Sequence, residues 1–169
     1  MSFFWYFAYG SNLLAERIRY RQKGAEYECN GKLDNFRLEF ANYSRRWQGA
    51  LATVIEEPGK EVWGCVWKMP MEYSDSLDEQ EGGYHRLMVP IQTPQGIIQC
   101  RTYQYSDLEA DPMAPSPHYK LVIVEGAKEH KLPQEYIRRL ENITDNGFVG
   151  SVDVDIPLLA TLNNKKHDL

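Results

Sequence analysis

The segment Glu61–Met69 places the tightest limit on how this chain can fold. Trp63, Cys65, Trp67 and Met69 fall on one face of an extended run, and Val62, Gly64 and Val66 fall on the other. A strand apolar on both faces needs cover on both sides, as a central or barrel strand has. Other segments repeat the theme. Phe3–Phe7 reads as a buried strand, and Ala50–Ile55 as another. Phe36, Leu38 and Phe40 alternate with Arg37 and Glu39, the period of a strand. Tyr84–Ile91, with Pro90 near its end or on an edge, and Ile97–Tyr105 flank Thr93-Pro94-Gln95-Gly96, a hairpin turn. Arg101, Tyr103 and Tyr105 share one face of the second of these. Several two-faced strands point to a small closed or nearly closed sheet.

Between the strands lie shorter signals. Tyr27–Leu33 reads as a short strand and turn, Asn42–Gln48 as a polar loop, and Glu57-Pro58-Gly59-Lys60 as a tight turn. Leu13–Arg19 has amphipathic helical spacing, and Met71–Gln80 reads as a short helix that breaks at Gly82-Gly83. Asp107–Pro117 is an irregular loop. Ser116-Pro117 starts a helix with Ser as N-cap and Pro at the first position. Leu132-Pro133 starts a last one. Strands through the middle with helices at the end argue α+β. At 169 residues the chain suits one domain, spanning 1–169, with a weakly patterned tail open to mobility from about residue 155.

Charge and cysteine usage narrow the function. With 19 Lys and Arg against 24 Asp and Glu, the net charge of −5 argues against nucleic acid or an anionic membrane as partner, since both need a basic surface. No apolar run reaches the length of a membrane span. Cys29, Cys65 and Cys100 are far apart and form no CxxC pair, so they read as buried free thiols of a cytosolic protein. The four histidines show no ligand spacing, and neither a metal nor another cofactor is expected.

Two stretches carry candidate chemistry. The first is the passage from strand to helix through Tyr9-Gly10-Ser11-Asn12. Gly10 lets a ligand approach the backbone, Ser11 and Asn12 are good helix caps, and the N–H groups of a first helical turn bind anions. On spacing alone this is ordinary turn chemistry. Ser11 lacks the setting of a nucleophile. The second is the acidic run Asp75-Ser76-Leu77-Asp78-Glu79-Gln80-Glu81 before Gly82-Gly83. Most such runs are solvated helix ends. Glu81, at the break before an aromatic strand, is the carboxylate placed to turn inward, where desolvation would raise its pKa and suit it to general base work. Asp75, Asp78 and Glu79 are expected to be exposed.

Four segments, in order, carry a resemblance: Tyr6–Leu14; Glu61–Met69; Ser76-Leu77-Asp78-Glu79-Gln80-Glu81-Gly82; and Ala114–Lys120 followed by Gly126-Ala127-Lys128-Glu129. On these, most of the chain resembles the γ-glutamylcyclotransferase family. The resemblance implies a compact mixed β-barrel flanked by helices, in a cytoplasmic homodimer. It implies cyclisation of small L-γ-glutamyl-amino acids to 5-oxoproline with release of a free amino acid, without metal or cofactor. It places the catalytic glutamate at Glu81, a ligand-binding loop at Tyr6, Phe7, Ala8, Tyr9, Gly10 and Ser11, and a substrate-contacting tyrosine at Tyr119. The segment Gly82-Gly83-Tyr84-His85 looks shorter than in vertebrate members, which leaves the leaving-group preference open, and Tyr84 is a further candidate pocket residue. Cyclotransferases specific for glutathione or γ-glutamyl-ε-lysine are the alternative within enzymes. A non-catalytic γ-glutamyl binding module is the alternative outside them.

Overall fold

The computed structural model describes residues 2–80 and 82–164. Among them, β1 (Phe3–Ala8), β2 (Glu26–Ser44), β3 (Gly49–Pro70), β4 (Tyr84–Thr93) and β5 (Gly96–Tyr105) close into a barrel in the order β1-β3-β2-β4-β5. The ladders are antiparallel, except that β1 meets β5 in parallel at Tyr6 and Arg101. The expected closed sheet and α+β class are therefore what the chain forms. β3 lies between β1 and β2, and Val62, Cys65, Val66, Trp67 and Met69 are fully buried there. Both faces of the segment are covered, as its composition demands.

Two stretches that read as separate short strands are longer in the structure. β2 runs unbroken through Tyr27–Leu33 and Phe36–Phe40, and β3 runs through Glu57–Lys60. The tight turn still exists, as an excursion within β3. The ladder passes from Phe36 opposite Glu56 to Asp34 opposite Glu61, so four residues stand opposite Asn35 alone. Gly59 takes φ 84°, and its N–H donates to Asn35 Oδ1 at 3.1 Å. Local turn chemistry marks the excursion. The ladder that resumes beyond it depends on distant partners that local patterning does not report.

The helices are α1 (Ala15–Arg21), α2 (Ser74–Gln80), α3 (Pro117–Glu129), α4 (Gln134–Glu141) and α5 (Ala160–Asn163). α3 starts as expected: Ser116 Oγ accepts from Tyr119 N–H at 3.1 Å, with Pro117 in the first turn. α4 is not the last helix, because a 3-10 turn at Pro157–Leu159 leads into α5. Val152, Val154, Ile156 and Leu159 are buried, and Asp153 N–H donates to the Arg46 carbonyl at 2.9 Å. Alternate residues of the tail thus face the protein, in a stretch too irregular for a periodic signal.

The first helix also differs from its expectation. Ser11–Leu13 is a 3-10 turn, Leu14 is extended, and α1 begins only at Ala15. Among the described residues, Ser11 and Asn12 do not cap it through their side chains. Asn12 instead donates its amide to Tyr6 Oη at 3.1 Å, and the Ala15 N–H is taken by the Glu129 carboxylate at 2.9 Å. The cap comes from the end of α3, far away in sequence, so local spacing misplaces it.

All three cysteines are buried and unpaired. Burial pushes each thiol above its usual pKa, Cys100 to about 12, which suits inert packing groups. Among the described residues no helix is long and apolar enough to cross a membrane.

Candidate active site

The barrel has a seam where β3 outruns β1. The β1–β3 ladder ends at Ala8 opposite Cys65, and among the described residues β3 continues back to Gly49 in a ladder with β2 alone. An open strand edge inside a protein must find other hydrogen-bond partners. Side chains provide them here. Tyr119 Oη accepts from Ala52 N–H at 3.1 Å, Tyr84 Oη donates to the Ala52 carbonyl at 2.8 Å, and Gln104 Nε2 donates to the Val54 carbonyl at 2.9 Å. The Tyr105 N–H donates to Thr53 Oγ1 at 2.9 Å, tying β5 to the same edge. A sheet sealed by side chains leaves room that a backbone ladder would fill.

That room is a cavity of about 80 Å³. Tyr6, Tyr9, Gly10, Ser11 and Asn12 line it from β1 and the turn after it, and Tyr119 from the first turn of α3. Of the loop residues expected to bind ligand, Tyr6, Tyr9, Gly10 and Ser11 are at the wall. Phe7 and Ala8 are not: both are buried in the core. Gly10 has φ −112°, so its role is not a left-handed turn. A side chain there would put Cβ 3.1 Å from Tyr119 Oη and 3.4 Å from Ala52 Cβ, which closes the wall.

Glu81 lies outside the described residues. Its neighbour Gln80, the last residue of α2, lines the cavity, and so does Tyr84 at the start of β4. Gln80 and Tyr84 thus reach the cavity from either side of the Gly82-Gly83 break.

Several wall residues escaped the sequence reading: Arg17, Trp47, Leu51, Ala52 and Tyr103; Asn12, read as a helix cap, is a wall residue as well. Arg17 had a signal, since it sits three residues after Leu14 and beside Ile18, at an inward position of an amphipathic helix. It is buried, with its guanidinium 5.7 Å from the Trp47 ring centre. Trp47 was hidden in a stretch read as a polar loop, yet it is buried edge-on against Tyr119 with ring centres 5.0 Å apart. Leu51 and Ala52 carry no sequence mark of a site.

Asp78 corrects the expectation that it is exposed. Its carboxylate accepts from Arg86 Nε at 2.9 and 3.0 Å, from the Arg86 terminal nitrogen, and from the Tyr103 hydroxyl, with Arg101 at 3.6 Å. Asp75 and Glu79 are exposed as expected. The hydrogen bonds from Arg86 hold the Asp78 carboxyl below its usual pKa, against the opposing effect of its partial burial, and Tyr103 and Arg101 add to the lowering. Burial, helped by Asp78, keeps the Tyr103 phenol well above its usual value and so protonated. The Tyr103 carbonyl in turn accepts from Tyr9 Oη at 2.5 Å, and the Tyr6 ring stands edge-on with centres 6.0 Å apart.

A family model described as the AIG2-like family matches residues 61–140. The γ-glutamylcyclotransferase of Bos taurus is 46% identical over 162 residues, covering 90% of this chain and 85% of the relative. That of Homo sapiens is 45% identical over 162 residues, with the same coverage. A solved γ-glutamyl cyclotransferase superposes with a TM-score of 0.85 at 43% identity, over 89% of this chain and 94% of that one. With that identity along nine-tenths of its length and the same barrel, this chain belongs to the γ-glutamylcyclotransferase family.

Proposed function

We propose that the protein is a γ-glutamylcyclotransferase that converts L-γ-glutamyl-amino acids to 5-oxoproline and a free amino acid. The observation that carries this reading is the convergence of the Tyr6–Ser11 segment, Tyr119 and the end of α2 on one cavity, in a chain so similar to enzymes of that name.

The substrate supplies its own nucleophile, the α-amino nitrogen, one five-membered ring away from the γ-carbonyl. The new C–N bond forms as the bond to the leaving amino acid breaks. Holding the reacting atoms in a folded pose is worth on the order of 7–11 kcal/mol. Glu81 carries the two protons that the α-ammonium loses on becoming a ring amide to the departing amine, which leaves as an ammonium, a service worth roughly 10²–10⁴-fold. Arg17, a buried cation at the wall, suits the substrate α-carboxylate. The N–H groups around Gly10 and Ser11 serve the same carboxylate or the oxyanion that develops on the γ-carbonyl. Tyr119 is the substrate-contacting tyrosine of this scheme, and Tyr84 a second wall group. No step calls for a metal or cofactor.

We further expect a cytoplasmic homodimer. The three buried thiols suit a reducing compartment, and the dimer rests on the family resemblance. Sedimentation of the purified protein tests the dimer directly.

The decisive experiment incubates the purified protein with γ-glutamyl-alanine and measures 5-oxoproline. Formation of 5-oxoproline supports the enzyme, and its absence from a well-folded sample overturns it. Glu81→Gln is expected to keep fold and substrate binding while losing nearly all turnover. Retained turnover removes Glu81 as the base.

A further inference from the structure

The Asp78 cluster ties together three elements that meet at the cavity but are remote in sequence. Asp78 is on α2, Arg86 on β4, and Arg101 and Tyr103 on β5. Arg86 approaches the carboxylate through two nitrogens, and its terminal nitrogen also donates to Ser74 Oγ at 3.3 Å. Arg101 is itself fixed, with its guanidinium carbon 3.9 Å from the Phe4 ring centre. The carboxylate is thus set in direction before it meets Tyr103. Tyr103 alone of these partners lines the cavity.

We infer that Asp78 is a positioning residue for the cyclisation, which holds the Tyr103 side chain in one orientation at the cavity wall. This rests on the cyclotransferase reading and deepens it. A phenol has one proton to give, and Tyr103 gives it to Asp78. Its oxygen, with the Arg101 guanidinium beside it, meets any further partner as an acceptor through its remaining lone pair. An acceptor at the wall suits the substrate α-amino group, which must be turned towards the γ-carbonyl, and disfavours a carboxylate in the same place. Asp78 thereby decides which pole of a γ-glutamyl group the Tyr103 side of the cavity receives. Asp78 remains ionised at neutral pH, so Asp78→Asn removes a real charge and lets the phenol turn its proton elsewhere.

The test compares Asp78→Asn, Tyr103→Phe and the double variant, with 5-oxoproline formation and thermal unfolding measured on each. A displaced group near the reacting atoms costs up to about 100-fold in rate. Both single variants are expected to lower kcat by roughly 10–100-fold with KM changed by less than about threefold. The double variant is expected to be no slower than the slower single one, because both remove the same hydrogen bond. Asp78→Glu, which keeps the charge, is expected to recover part of the loss. A kcat within about threefold of wild type for Asp78→Asn overturns the inference. So does a loss that adds to that of Tyr103→Phe, or one that disappears on cooling to a temperature where the variant is fully folded, since either marks a merely structural brace. An active wild type with an unaffected Asp78→Asn variant overturns this inference alone. An inactive, folded wild type overturns the cyclotransferase reading and this inference with it.

Discussion

Gly126 of α3 lies directly against Leu13, so closely that a Cβ built on Gly126 would stand 2.6 Å from Leu13 Cβ and 2.7 Å from the Leu14 nitrogen. The turn that carries Gly10 and Ser11 is therefore backed by a bare stretch of helix. Glu129, one turn later on α3, holds the Ala15 N–H. Two contacts from one helix set where the turn ends and where α1 begins.

Gly126→Ala tests that support. Alanine is the better helix former by about 1 kcal/mol, so propensity alone predicts stabilisation. Overpacking works the other way, by roughly 1–3 kcal/mol, because neither Leu13 Cβ nor the Leu14 backbone can move without moving the turn. The expected outcome is a lower unfolding midpoint together with a loss in kcat/KM larger than the stability change explains. Urea unfolding and 5-oxoproline kinetics on the same sample check it. An unchanged or raised midpoint would show that the turn gives way freely.

Ala52 provides a second test, because two tyrosine hydroxyls clasp its peptide groups. Tyr119→Phe leaves the Ala52 N–H, at a residue 4% exposed, without its 3.1 Å acceptor. Such a loss costs about 1–3 kcal/mol. Tyr84→Phe removes a donor from the Ala52 carbonyl instead, and under-satisfied carbonyls are better tolerated, so it should cost about 0.5–1.5 kcal/mol. Equilibrium unfolding of the two variants should rank them in that order. The reverse ranking would mean that the seam is held mainly from the β4 side.

The contrast between these residues shows what a sequence can carry. Two-faced burial in Glu61–Met69 announced a closed sheet, because only a closed or doubly covered sheet hides both sets of side chains. Ser116-Pro117 announced α3, because capping is local. Neither signal reports register. The joining of short strands into β2 and β3 follows from a ladder whose partners are up to 42 residues apart, as Glu26 and Lys68 are. The site divides in the same way. Tyr6, Tyr9, Gly10, Ser11 and Tyr119 were legible through the family resemblance. Ala52 and Leu51 line the cavity only because the seam falls beside them, and the seam exists only in the closed barrel. Asp78 looked like one more charge in an acidic run, because the arginines and tyrosine that claim it arrive 8 to 25 residues later.

Acid sensitivity follows from His130, the residue that closes the C-terminal end of α3. His130 Nε2 lies 2.9 Å from the Glu129 carboxylate, and the ring stacks on Tyr27 with centres 4.5 Å apart and meets Trp67 edge-on at 5.4 Å. Burial among these rings lowers the imidazole pKa from 6.5, with Arg19 adding to the lowering and Glu129 and the Leu13 backbone opposing it. Between the folded value and 6.5 the unfolded chain binds more protons at this residue than the folded chain. Stability therefore rises with pH in that window, and falls as pH drops through 6.5 towards the folded value. Asp78 has the same sign lower down: its pKa is depressed from 3.8, so its contribution is present above 3.8 and is lost as pH falls through the folded value. The urea midpoint should accordingly decline from about pH 7 to about pH 5, a range in which histidines titrate and ordinary carboxylates have barely begun to. His130→Gln should flatten that decline and leave the steeper loss at lower pH in place. Asp78→Asn should do the converse. A midpoint that stays level from about pH 7 to about pH 5 in the wild type would show that Glu129 outweighs burial and holds the histidine at its ordinary value.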